Sequence, residues 1–265
     1  IISHYLKKFQ GNDLKARCAR GSLALSMGTI IAKALALVSK IILTRLLVNN
    51  EIGLMVMILS LISFMEAFVE VGVKKSIVQS KDGDTPDYLN MAWWFQGTRC
   101  VLLYCVAFLI SPWLSRFYFS NKPAILELYT VDELCILLRV AFLYILFNGF
   151  TSPRMQILSR EFKFFKKVML GQGTAAVGII ITIILAFRMR NIWAIVIGNL
   201  SGMALLSIFS YVVCPVKPRF KLHKESLSSI SRFARGMAGL PILTSLAFNA
   251  DVLVLGKVMD TAVVG

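Results

Sequence analysis

The sequence has few charged residues and almost no histidine. Charged side chains make up 16% of its 265 residues, whereas about 25% is typical of a soluble domain. Its two histidines and five scattered cysteines show no metal-ligand or disulfide spacing. The P-loop pattern GxxxxGK[ST] does not occur either. These absences argue against a soluble domain, a zinc centre, a disulfide framework and ATP binding through a P-loop, and we expect no cofactor.

Long apolar runs dominate the chain instead. Hydrophobic residues make up 57% of the sequence, and they come in blocks of about 20, the length that crosses a hydrocarbon core of about 30 Å. The predicted fold class is therefore all-α, a polytopic bundle of transmembrane helices. The blocks predict seven helices, at about residues 22–47, 52–73, 90–117, 126–150, 168–187, 192–214 and 237–259.

Basic residues lie mainly in every second loop between the predicted helices. Of the 29 Lys and Arg residues, 19 fall in the N-terminal segment and in the loops after helices two, four and six, against five in the opposite loops. This asymmetry predicts an N-terminus in the cytoplasm of a multi-pass inner-membrane protein, and it argues against nucleic-acid binding despite the net charge of +15.

The same pattern divides the chain into four predicted segments. Residues 1–21 form a basic cytoplasmic segment, and residues 22–214 form a six-helix transmembrane lobe. Residues 215–236 form a basic cytoplasmic linker. Residues 237–265 form the first helix of a second lobe, apparently truncated, with Gly265 outside the cytoplasm.

Ionisable and amide side chains occur inside the apolar blocks, where they are costly and therefore candidates for function. One interpretation is a hydrated cavity that binds an anionic substrate group and sugar hydroxyls, lined by Lys33, Gln96, Arg99, Arg139, Asn148 and Asn249. Three acids, Glu66, Glu70 and Asp251, are candidate carriers of a coupling proton or cation. The alternative is structural: Lys33 or Arg99 pairs with one of these acids, and Glu70 reaches the interface from its helix end.

The spacing of Gly198 and Gly202 in the sixth block is a GxxxG pattern. Such a pattern predicts a close contact with a neighbouring helix, because glycine lets two backbones approach.

Several segments resemble the polysaccharide transporter branch of the multidrug/oligosaccharidyl-lipid/polysaccharide exporter superfamily, which includes O-antigen and colanic-acid type flippases. The clearest is Thr85–Trp94, which opens the third helix. The others, in collinear order, are Ile41–Leu47, Glu70–Gly72, Ile77–Gln79, Phe147–Gly149, Arg160–Phe164, Trp193–Gly198 and Asp251–Lys257. The resemblance implies two six-helix lobes around a central cavity that work by alternating access. This chain would supply the first lobe and the seventh helix, and it would not be an enzyme.

The function expected from these features is the flipping of an undecaprenyl-diphosphate-linked oligosaccharide across the cytoplasmic membrane. Membrane lipids and enzymes of polysaccharide assembly are the expected partners. One alternative is a drug or cation exporter of the same superfamily, which would favour acidic cavity residues. Another is a membrane enzyme of polysaccharide assembly, although the outer loops near 48–51, 118–125 and 188–191 are short for a catalytic domain.

Overall fold

The computed structural model describes residues 14–69, 72–120, 122–216, 219, 224–237 and 239–258. All regular structure within these ranges is helical, which confirms the predicted fold class. In chain order the α-helices are α1 Leu14–Leu46, α2 Asn49–Val69, α3 Val73–Gln79, α4 Pro86–Phe119, α5 Pro123–Leu126, α6 Val131–Gly149, α7 Ile157–Arg160, α8 Phe164–Met189, α9 Trp193–Val213, α10 Lys224–Met237 and α11 Gly239–Val258. A 3-10 turn at Pro153–Gln156 precedes α7.

Each of the seven predicted apolar blocks contains a helix in the described residues. Six described segments are long and apolar enough to cross a membrane by themselves, and α6 becomes a seventh if it is counted with its continuation through α7, bent by 68°. The chain is therefore a multi-pass membrane protein. Residues 1–13 and 259–265, which hold most of the predicted basic segment and the C-terminal end, lie outside the described residues.

Local chemistry explains where the helix ends differ from the prediction. The described part of the second predicted helix, α2, is Asn49–Val69, and Gly72 has a φ of 66°, a left-handed conformation that favours glycine. The fourth predicted helix, which is α6, starts at Val131 rather than 126, because Thr130 and Glu133 form a capping box there. At α4, Thr85 caps the first turn and Pro86 occupies its first position, so this helix starts earlier than predicted.

The helix α6 lies at the centre of the bundle, in contact with α2, α4 and α9. Its Phe142 and Ile145 side chains are fully buried. Next to α9 comes α8, and α1 packs on the far side of α8, while α11 lies along α2. Large apolar side chains such as Leu109, Val212 and Phe248 cover the outside, as expected for a surface in contact with lipid.

Glycine makes the contact between α8 and α9 close, which confirms the GxxxG prediction. A Cβ atom added to Gly178 would lie 2.9 Å from the Cα of Gly202. One added to Gly198 would lie 2.8 Å from the Cα of Thr182. No side chain fits between the helices at either position, since carbon atoms pack at about 3.5–4.0 Å.

The basic loops meet at one end of the bundle, here called the basic end. Arg160 donates to the carbonyl of Ser80 at 3.0 Å, which joins α7 to the loop after α3. Trp94 donates to the carbonyl of Arg219 at 3.2 Å, which joins α4 to the segment before α10. The helix α10 itself, inside the predicted linker, packs on α3 and α4.

Candidate functional site

Four polar side chains meet between α2, α4 and α6, and we call them the Glu66 cluster: Glu66, Gln96, Tyr144 and Asn148. The side-chain amide of Asn148 donates to Glu66 Oε1 at 2.8 Å, and the Tyr144 hydroxyl donates to the same oxygen at 3.5 Å. Gln96 donates to the backbone carbonyl of Asn148 at 3.3 Å. Gln96 and Asn148 are almost fully buried. The cluster therefore places a carboxylate among amides and a phenol inside the bundle.

Two helix ends and a glycine bring these residues together. Glu66 and Asn148 occupy the last turns of α2 and α6, which both end at the basic end. A Cβ atom added to Gly149 would lie 2.3 Å from the Cβ of Cys100, so α4 and α6 touch closely there. Gln96 lies one turn before Cys100 on α4, which brings its amide to α6.

Arg99 lies beside the cluster and holds the end of α2. Its guanidinium donates to the carbonyl of Phe68 at 2.6 Å and also to the carbonyl of Val69. These are the last carbonyls of α2, at the negative end of the helix dipole, where a cation is stabilising. Arg99, which the sequence predicted as a cation of the cavity, thus binds the backbone of α2 just after Glu66.

The seventh predicted helix, α11, continues the polar contacts along α2. The Asn249 amide donates to the Ser63 hydroxyl at 3.3 Å, and the Ser245 hydroxyl donates to the Ser63 carbonyl at 3.3 Å. Ser63 precedes Glu66 by three residues and so lies on the same side of α2. Polar groups of α4, α6 and α11 therefore converge on one helix.

The other predicted site residues lie apart from the cluster. Lys33 is exposed on α1, and Asp251 is exposed on α11. Arg139 stacks over the Phe108 ring at 4.1 Å. It precedes Asn148 by nine residues, about 2.5 helical turns, and therefore lies on the opposite face of α6. Glu70 lies outside the described residues.

The sequence interpretation missed the polar contacts at the opposite end of the bundle. Tyr129 donates to Glu51 and accepts from the backbone N–H of Ile192 at 3.4 Å. Burial raises the pKa of Tyr129, and the hydrogen bond to Glu51 raises it further. Lys122, which is buried, donates to the carbonyl of Gly256 near the end of α11. At the end away from the basic loops, Tyr129 thus joins α2 to the start of α9, and Lys122 joins the start of α5 to α11.

Among the described residues, no group of histidine, cysteine and acidic side chains is placed to hold a metal ion. Helices of membrane-spanning length surround the polar Glu66 cluster. They define the class: a polytopic helical membrane protein with a polar interior site. The family is more specific. The family model described as "Polysaccharide biosynthesis protein" matches residues 42–265, and the chain belongs to that family.

Two relatives share this resemblance. The chain is 24% identical over 256 residues to the lipopolysaccharide biosynthesis protein WzxC of Escherichia coli K12, covering 96% of this chain and 49% of WzxC. It is 23% identical over 225 residues to the succinoglycan biosynthesis transport protein ExoT of Rhizobium meliloti 1021, covering 84% of this chain and 43% of ExoT. The chain thus spans about half the length of these relatives. No solved structure matches it significantly.

Proposed function

We propose that this chain belongs to an exporter that flips a lipid-linked oligosaccharide across the cytoplasmic membrane by alternating access. Membership of the polysaccharide biosynthesis family and the similarity to ExoT, a succinoglycan biosynthesis transport protein, support export of a polysaccharide precursor. Residues 22–214 would form the first lobe, and residues 237–265 would open the second, with the N-terminus in the cytoplasm. The substrate would be an undecaprenyl-diphosphate-linked repeat unit, and assembly enzymes would act before and after the exporter.

The Glu66 cluster carries this proposal. Amides and phenols offer donors and acceptors that suit sugar hydroxyls. A carboxylate among them, inside a membrane protein, is a candidate proton or cation carrier. Its contacts reach α2, α4 and α6, and Ser63 extends them to α11. A change of charge at Glu66 would therefore act on helices of the first lobe and on the helix that opens the second.

Replacement of Glu66 by Gln tests the carrier role. The Gln side chain keeps a carbonyl oxygen that accepts the hydrogen bond from Asn148, so the fold should survive, but it can neither bind a proton nor attract a cation. We expect Glu66→Gln to lower surface polysaccharide by at least about tenfold, equivalent to about 1.4 kcal/mol, because the proposed carrier group is lost. The assay compares cells with equal amounts of the complete gene product in the membrane.

Glu51→Gln is the matched control, because Glu51 lies on the same helix at the opposite end of the bundle. Export that survives Glu66→Gln at the wild-type level would refute the carrier role. Loss of export in both variants would show that any change of charge on α2 is harmful, and the assignment to Glu66 would fall.

Arg99 and Lys33 differ in their contacts, so replacing each by Gln should affect the melting temperature differently. Arg99 binds the last carbonyls of α2, so Arg99→Gln should lower the melting temperature along with export. Lys33 is exposed at membrane depth on α1, and we propose that it screens the diphosphate. Lys33→Gln should lower export without a change in melting temperature. Normal export by Lys33→Gln would remove it from the site.

A further inference from the structure

A groove of about 380 Å³ runs between α6, α8 and α9 next to the Glu66 cluster. Tyr144 belongs to both, because its hydroxyl donates to Glu66 and its side chain lines the groove. The volume lies in the range of sites that bind small molecules, about 300–1,000 Å³. The groove thus extends the polar site along the α8–α9 pair.

Two amide side chains, Gln172 and Asn199, line this groove at membrane depth. Asn199 is exposed and Gln172 is partly exposed. Within the part of the chain that the structure describes, neither side chain makes a hydrogen bond to protein, whereas the neighbouring hydroxyl of Thr174 donates to the Leu170 carbonyl at 2.8 Å. An amide that faces hydrocarbon without a partner is costly. The two amides are therefore available to bind a polar occupant of the groove.

The chemistry of the lining favours an uncharged sugar over a phosphate. The groove residues include no charged side chain, and phosphate sites need cations or helix N-termini. Each amide offers two donors and a carbonyl acceptor, which can pair with neighbouring hydroxyls of a sugar ring. The wall near Gly171 is open, since an added Cβ would meet nothing within 4 Å. A ring can approach that backbone closely.

We propose that Gln172 and Asn199 form a sugar-binding subsite for the glycan part of the exported lipid-linked oligosaccharide. This proposal rests on the proposed function, since it assumes that a glycan enters the bundle. In this proposal two sites recognise the substrate: cations outside the groove bind the diphosphate, and the two amides bind sugar hydroxyls.

Photo-crosslinking in native membranes tests the subsite. A benzophenone amino acid replaces Ala175, which lines the groove, in the complete gene product. The matched control replaces Val177, which is exposed two residues later, about 200° around α8. After illumination, mass spectrometry reads the adducts for sugar increments or for phospholipid. We expect sugar-bearing adducts at position 175 and phospholipid adducts at position 177.

Second substitutions then test the amides. Asn199→Leu and Gln172→Leu should each lower sugar capture at position 175 about fivefold, the scale of one lost hydrogen bond. Ser201→Ala is the control, since that hydroxyl donates within its own helix, to the Ile197 carbonyl at 2.7 Å. Leucine suits a membrane helix, and capture is normalised to the amount of protein in the membrane, so poor insertion would be visible.

The outcomes separate this inference from the proposed function. Phospholipid alone at position 175, or sugar capture that survives both leucine variants, would overturn the subsite. If Glu66→Gln still stops export in those cells, the proposed function stands without the subsite. If export survives Glu66→Gln while sugar is captured at position 175, the subsite stands and the carrier role falls.

Discussion

Replacement of Gly198 by Ala should separate α8 from α9 and lower the stability of the protein. The added Cβ would lie 1.8 Å from Thr182 Oγ1 and 2.8 Å from the Thr182 Cα. Rotation of the Thr182 side chain can move the hydroxyl, but the Cα moves only with its helix. Because carbon atoms pack at about 3.5–4.0 Å, the helices must part by roughly 1 Å.

The cost follows from this displacement. Inserting a methyl group into a packed contact costs about 1–3 kcal/mol, and the adjoining contact of Gly178 with Gly202 opens as well. Gly173→Ala is the control on the same helix pair, since its Cβ would meet nothing within 4 Å. That variant should be neutral or slightly stabilising, because alanine favours a helix over glycine by about 1 kcal/mol.

The assay is the apparent melting temperature of the purified protein in lipid nanodiscs. We expect Gly198→Ala to melt lower than the wild type and Gly173→Ala to melt at or above it. Equal melting of the two variants would refute the close contact of α8 with α9. It would also remove the wall of the proposed sugar subsite.

Three further outcomes are expected. Gly72→Ala should expose α10 to protease, because its Cβ would meet the Ala234 backbone at 3.1 Å and its φ of 66° strains alanine; equal protection in Gly72→Ala and Gly236→Ala would contradict this. Lys122→Met should loosen α11, seen as faster hydrogen exchange near Gly256. Because the pKa of Tyr129 is raised in the folded protein, its contribution to folding stability is present below a pH of about 10 and is lost as the pH rises further. The Tyr129→Phe variant should therefore lose less stability at high pH than the wild type does.

The helices could be predicted from hydropathy, because a span needs about 20 apolar residues whatever its neighbours are. The helix α10 escaped this criterion. Its apolar residues Leu227, Ile230 and Ala234 recur at helical spacing within a polar segment, so a long hydropathy window averages them away. A search for amphipathic periodicity in the basic linker would have found it.

The candidate site was only partly predictable. The position of Glu66, Gln96 and Asn148 in apolar blocks marked them as candidates. The sequence did not predict that they contact one another, since that depends on how distant helices pack. The face of α6 could have been derived, because nine residues separate Arg139 from Asn148. The role of Arg99 could not, since its described partners are backbone carbonyls. The composition of a sequence does not indicate which carbonyls at a helix end are available to accept a hydrogen bond from another helix.

The side of the membrane on which lipid-linked oligosaccharide accumulates tests the proposed export most directly. Spheroplasts that lack the gene are treated with periodate that cannot cross the membrane, and the surviving lipid-linked glycan is measured. We expect it to be protected without the gene, and to become oxidised when the complete wild-type gene is restored but not when Glu66→Gln is. Oxidation to the same extent with and without the gene would contradict the account.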